Sequence, residues 1–322
     1  VYILLLLSLL YGESLLSPYN NESNSNMYTP QLFWQYPAVT EKTFWEQNRH
    51  HQNYMPVPWA TVIDKRYNLQ DIYNMVKPRC LKDLEYYTCC QHIHFRTLIP
   101  LLKRLGIRKL YTPHKVKNEG SIDGIELVGC PLFAVNFEDP TRNKTFSQAE
   151  SPPQRDLLYS FVGGYQKGYM SVVRLRIFDL PERSDCLVRN TGSWHFNDIV
   201  YSPQQSAKLC EAPDPSHAEK TEHYNRTLLR SRYSLCPSGS GPNSIRLWES
   251  LAAGAIPVVL ADTLDLPAHP LWDSAVVVLP EHFVSVVFTA LSQVPPEKEA
   301  QMRRNCLEIY DFFRGNFTGL IN

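Results

Sequence analysis

At 322 residues the chain is too long for one typical domain and fits two of about 150. Lys plus Arg and Asp plus Glu balance at 32 each, so no polyanion-binding face is implied and nucleic acid is excluded as a natural partner. None of the eight cysteines forms a C-x-x-C pair, which removes support for a zinc site; buried free thiols suit a chain of this size at least as well as disulfides.

Val1 to Leu10 is apolar but too short to cross a bilayer as a helix. It lacks a basic n-region, and Tyr11-Gly12-Glu13-Ser14 is a poor cleavage site. The run reads as a first strand ending at Gly12. Val1 stands where an initiator Met would, so an upstream anchor and membrane association stay open, with cytosol favoured over Golgi lumen. Ser17 to Pro30 is a polar surface loop. From Gln31 to Trp59 aromatics are dense (Phe33, Trp34, Tyr36, Phe44, Trp45, Tyr54, Trp59), either packed on a sheet or in part lining a sugar cleft.

Ala60 to Ile63 predicts a strand with Asp64 at its end, and Leu69 to Met75 a helix. Tyr86 to Cys90 is a strand leading through Gln91 to His92. Arg96 to Leu105 is an amphipathic helix closed by Gly106. Lys109 to Thr112 is a strand followed by Pro113 and His114; Gly124 to Val128 and Leu132 to Val135 add two more, the second leading to Glu138. Strands alternating with helices predict a doubly wound α/β domain, whose ligands bind beyond the carboxyl ends of the strands. Asp64, His92, His114 and Glu138 stand at that edge.

Glu138 to Pro153 is polar and ends in Pro152-Pro153, placing a domain boundary near Ala149–Gln154 and dividing the chain into 1–150 and 151–322. The second part repeats the pattern. Asp156 to Gly164 is a strand running into paired glycines, Val172 to Phe178 a helix, and Cys186 to Arg189 a strand. Ser216 to Arg232 predicts a helix. Arg230 and Arg232 in its last turn suit the helix dipole, and either could reach an anion bound by the next loop. Beyond Asp262, Ala275 to Leu279 is a strand, Phe283 to Leu291 a helix and Pro296 to Phe313 a final helix.

Tyr233 to Asp262 is the most informative stretch: strand, loop, helix, strand. Pro237-Ser238-Gly239-Ser240-Gly241-Pro242 is a loop, Asn243 or Ser244 an N-cap, and Gly254 the helix stop. Small residues before a helix start let backbone N–H groups approach an anion. Arg246 in the first turn opposes the dipole, which makes sense beside a bound phosphate. Glu249 shares its face, and the plainer alternative is an ordinary i,i+3 surface ion pair. No P-loop, no strand-linked G-x-G-x-x-G and no D-x-D occurs, which removes the P-loop, dinucleotide and GT-A readings.

S-L-C-P-S-G-x-G-P-x-S-x-R-L-x-E-x-L-x-x-G-x-I-P-V resembles the donor-site signature of exostosin-type glycosyltransferases (family 47), over about thirty contiguous residues. The short, compact form is similar to microbial and large-virus members. The resemblance implies an α/β GT-B fold: two Rossmann-like domains facing across a cleft, with the last helix crossing back to the first. It implies an inverting sugar transferase that uses a UDP-sugar, UDP-xylose favoured, and a glycan acceptor, with no metal or other cofactor. The donor residues it implies are Gly163, Arg230, Ser238, Gly239, Asn243 and Ser244, with Arg246 on the diphosphate and Glu249 on the ribose. If the second domain holds the phosphate, the catalytic base comes from the first. Asp64 and His92 lead, and His114 and Glu138 remain alternatives. A GT-B protein that binds nucleotide or glycan without turnover is the competing reading.

Overall fold

The computed structural model describes residues 32–133, 135–139, 142–147, 154–194, 196 and 215–315. The expected strand at Val1 to Leu10, the loop at Ser17 to Pro30 and the Pro152-Pro153 boundary lie outside them.

The first sheet holds β1 (Tyr86–Cys89), β2 (Ile107–Thr112), β3 (Ser121–Ile122) and β4 (Ile125–Gly129) in the order β1-β2-β4-β3, parallel except for β3. The helix Ile99–Leu105 packs Leu101, Leu102 and Leu105 into its core and ends at Gly106, whose φ of 87° only glycine adopts readily. The helix Leu69–Val76 is capped by Asn68, whose side chain accepts from Gln70 N at 2.8 Å.

Two short segments differ from the sequence reading. Ala60 to Ile63 is not a strand but part of the helix Trp59–Asp64. The β-branched run Thr61-Val62-Ile63 favours a strand locally, but tertiary partners override it. The buried Glu41 carboxylate accepts the Ala60 N–H at 3.1 Å, and the Thr61 hydroxyl donates to Phe33 O at 2.6 Å. Leu132 and Phe133, expected to open a strand running to Val135, are not in one either. Pro131 to Phe133 bonds to the start of the helix Thr40–Asn48, through Thr40 Oγ1 and Val39 N, and a helical turn begins at Val135.

The second sheet holds β5 (Leu157–Gly163), β6 (Cys186–Asn190), β7 (Ser231–Pro237), β8 (Ile256–Leu260) and β9 (Val277–Val278), every neighbouring pair parallel, in the order β6-β5-β7-β8-β9. Its central strands are covered on both faces, so Leu235, Ile256, Val258 and Leu260 are fully buried. The helix before β7 spans Pro215–Arg230, ending two residues earlier than predicted because Ser231 already pairs with Leu157.

The carboxyl edges of the two sheets face each other, as in a GT-B fold. The segment after β2 meets the segment after β8: Lys115 Nζ pairs with Asp265 at 2.7 Å, Lys117 N donates to Thr263 O at 3.0 Å, and Val116 bridges Leu264. The final helix, Pro296–Gly315, returns to the first half of the chain. Tyr310 donates to Glu138, Gln47 Nε2 donates to Arg314 O at 3.0 Å, and Phe313 packs edge-on against Trp248. One core cluster therefore runs from Phe44 and Tyr111 to Trp248 and Phe313. Cys80, Cys89, Cys90, Cys130, Cys186, Cys236 and Cys306 are free thiols, most of them buried.

Candidate active site

The site is built where β7 ends. Ser238 N donates to Leu260 O at 2.9 Å, and Gly239 N turns back to Gly241 O at 3.0 Å. Asn243 secures the far side: its Oδ1 accepts Ser244 N at 2.8 Å, and its Nδ2 donates to Pro113 O, beyond β2, at 2.9 Å. The helix Ile245–Ala252 then starts on Ser244, whose hydroxyl accepts Arg246 N at 3.3 Å. The loop is thus fixed between the two sheets before any ligand arrives.

Arg246 and Glu249 are both buried, at 8% and 2% exposure, so the surface ion-pair alternative fails. They are not joined to each other. Arg246 Nη2 donates to Val162 O, and the guanidinium lies 4.4 Å above the Phe161 ring. Glu249 Oε2 accepts the Tyr224 hydroxyl at 2.7 Å. Arg246 Nε and Nη1 and Glu249 Oε1 are buried without a partner. Burial pushes the Glu249 carboxyl above its usual value, against the lowering effects of Tyr224, Arg246 and the neighbouring Asn136 side chain. Gly163 ends β5 where a side chain would strike Arg246: a Cβ there would lie 2.9 Å from Nη2.

On the first sheet's edge, His92 Nε2 lies 2.9 Å from Asp64 Oδ1. The backbone N–H of His94 donates to His92 Nδ1 at 3.0 Å, so the neutral ring carries its proton on Nε2 and gives it to Asp64. Burial raises the Asp64 carboxyl, but the hydrogen bonds of His92 and Gln35 and the nearby Lys65 charge outweigh it, and the group sits below its ordinary range. His114 is buried beside this pair. Burial, reinforced by the neighbouring His92 ring and the positive charge of Arg96, pushes it down to about 3, and its Nδ1 has no partner. Ile93 and His114 both press on Gly241, within 2.8 Å of where a Cβ would stand, so the first sheet's edge touches the loop.

The structure therefore brings together Asp64, His92, His114, Gly163, Ser238, Gly239, Asn243, Ser244, Arg246 and Glu249. It does not bring Arg230 to them. That side chain sits at the opposite, amino end of β7 and forms an exposed pair with Asp156. Seven strand residues put it roughly 20 Å from the loop. Arg232 lies on the strand itself and pairs with Glu299 at 2.5 Å. Glu138 also stands apart, held by Tyr310 and Arg314 of the final helix. Two site residues carry no sequence signal. Tyr224 lies on the distant helix Pro215–Arg230, and Arg174 on the short helix Val173–Phe178.

Two largely parallel α/β layers whose carboxyl edges meet at a small-residue loop form the GT-B arrangement. The exostosin GT47 domain matches residues 98–294, more than half of the chain, and the chain belongs to that family. It is 28% identical over 192 residues to an exostosin-1 homolog of Caenorhabditis elegans, a match covering 58% of this chain and 48% of that one. It is 40% identical over 83 residues to the probable beta-1,4-xylosyltransferase IRX10L of Arabidopsis thaliana, covering 24% and 20%. Over 90 residues it is 36% identical to the probable glucuronosyltransferase GUT1 of Oryza sativa subsp. japonica, covering 26% and 21%. The chain thus spans about half the length of the first and about a fifth of the other two.

Proposed function

We propose that the chain is an inverting glycosyltransferase that moves a sugar from a UDP-sugar to a glycan acceptor, with residues 1–150 as acceptor domain and 151–322 as donor domain. The observation that carries this reading is the set of buried, unpartnered atoms Arg246 Nε, Arg246 Nη1 and Glu249 Oε1 at the start of the helix Ile245–Ala252. Two free guanidinium donors and a helix N-terminus suit a diphosphate, and a free carboxyl oxygen suits a ribose hydroxyl. UDP-xylose is the donor we favour, in keeping with the relative named as a probable beta-1,4-xylosyltransferase.

In the reaction, the acceptor oxygen forms a bond to the sugar carbon as the bond from that carbon to the diphosphate oxygen breaks. Arg246 and the helix N-terminus take up the negative charge on the departing UDP, so no metal is needed. Inversion requires attack from the face opposite the diphosphate, which puts the base on the first sheet's edge. Asp64, kept ionised by His92, accepts the acceptor's proton. Both nitrogens of His92 are already engaged, so it orients Asp64 and does not itself take the proton.

A panel of UDP-sugars assayed for UDP release in EDTA, with glycan acceptors, tests the proposal. Turnover of one donor in the presence of EDTA is expected. Release from none of them, or activity that vanishes in EDTA and returns with Mn²⁺, would contradict it.

A further inference from the structure

Arg174 lies on the short helix Val173–Phe178, outside the donor signature, yet its guanidinium is among the most buried charges of the second sheet's edge, at 8% exposure. Nε donates to Ser238 O at 2.9 Å and Nη1 to Gly164 O at 3.0 Å. The first carbonyl opens the Ser238–Ser244 loop, and the second belongs to the turn that follows β5. Nη2 lies so near Gly239 that a Cβ on that residue would come within 2.9 Å of it. The same segment holds the loop at two further points: Met170 N donates to Gly239 O at 2.9 Å, and the hydroxyls of Ser171 and Ser238 are 3.2 Å apart.

Charge gives this brace a second meaning. Arg174 and Arg246 lie over the same Phe161 ring, at 5.8 and 4.4 Å from its centroid. Among the described residues neither guanidinium is paired with a carboxylate. Burial first, and then the charge of Arg246, lowers Arg174 to about 10, which leaves it protonated at neutral pH. Two buried like charges held over one ring, neither in a direct ion pair, repel each other, and an anion bound between them relieves that cost. Bare carbonyl oxygens beside such an anion would repel it, and Arg174 occupies two of them.

We propose that Arg174 is the positioning residue of the diphosphate subsite: it ties the Ser238–Ser244 loop to the Gly163-Gly164 turn and sets a second positive charge beside Arg246. The inference rests on the donor-site reading above. Its test is a pair of NMR titrations, UDP against uridine, on the wild type, Arg174→Ala and Arg174→Lys, with melting temperatures recorded alongside. Uridine keeps the ribose and lacks the diphosphate. Arg174→Ala is expected to weaken UDP about tenfold or more and to leave uridine within about twofold. Lysine keeps the charge but cannot hold both carbonyls, so Arg174→Lys is expected to lose about threefold or more for UDP alone. If the alanine variant does not fold, the lysine variant decides. Unchanged UDP affinity in the folded variants would overturn the inference alone, as would UDP and uridine falling by the same factor, the mark of a purely structural brace. A wild type that binds neither ligand would overturn the donor-site reading with it.

Discussion

Asp64 and His92 come from different elements and meet at 2.9 Å, and their hydrogen bonds assign them unequal parts. The His94 N–H occupies His92 Nδ1, and the remaining ring proton points at Asp64. Only the carboxylate has an oxygen left to accept a proton. Asp64→Asn is therefore expected to lower sugar transfer about a hundredfold or more, while His92→Gln, which removes an orienting partner, costs less. Both variants should bind UDP as the wild type does, because the donor loop belongs to the second sheet. Transfer rates and UDP titrations on the two variants decide this. Near-normal transfer by Asp64→Asn would hand the role of base to His114 or to a group on the acceptor.

At the scale of elements, Glu41 holds the carboxyl edge of the first sheet together. It sits in the first turn of the helix Thr40–Asn48, and its Oε1 accepts N–H groups from Ala60 and Gln91, both at 3.1 Å. One of these starts the helix that ends in Asp64, and the other precedes His92. Burial pushes the Glu41 carboxyl up to about 8, against those hydrogen bonds. The unfolded chain releases this proton near 4.5 and the folded chain near 8, so the folded state binds the extra proton between those values. Stability is therefore lost as pH rises through that window, by at most about 1.4 kcal/mol per pH unit. Glu41→Gln removes the titration. Its melting temperature should gain on the wild type steadily from pH 5 to pH 8, and a constant difference across that range would refute the assignment.

This same region shows what a sequence can and cannot reveal. β1, β2 and β4 are legible because short apolar runs are bounded by clear breaks such as Gly106 and Pro113. The Arg246–Glu249 site is legible because loop, cap and both side chains fall within one contiguous stretch. The helix Trp59–Asp64 is not, because the partner that fixes it, Glu41, is nineteen residues away and local propensity points to a strand. Glu138 is displaced from the cleft for a similar reason: Pro131 to Phe133 serves the helix Thr40–Asn48 and leaves no strand end for Glu138 to follow. Arg174 and Tyr224 reach the site only through tertiary packing, and nothing near them in the chain announces it.

Over the whole molecule, the Ser238–Ser244 loop lies where both sheets contribute. Asn243 bonds Pro113, Gly241 receives His114 and Ile93, and Asp265 pairs with Lys115. Behind it, the final helix and Trp248 join the two halves through a shared core. On the proposed donor-site reading, the unpartnered buried atoms of Arg246 and Glu249 are the anchors of a nucleotide bound at this loop. The most direct measurement is calorimetric titration of UDP, in EDTA, into the wild type and Glu249→Gln. A carboxylate accepting from the ribose hydroxyls contributes roughly 1.5–3 kcal/mol per charged hydrogen bond. The wild type should bind UDP without metal, and Glu249→Gln, with its fold intact, about tenfold to a hundredfold more weakly. No UDP binding by the wild type, or equal affinity in the variant, would contradict the account.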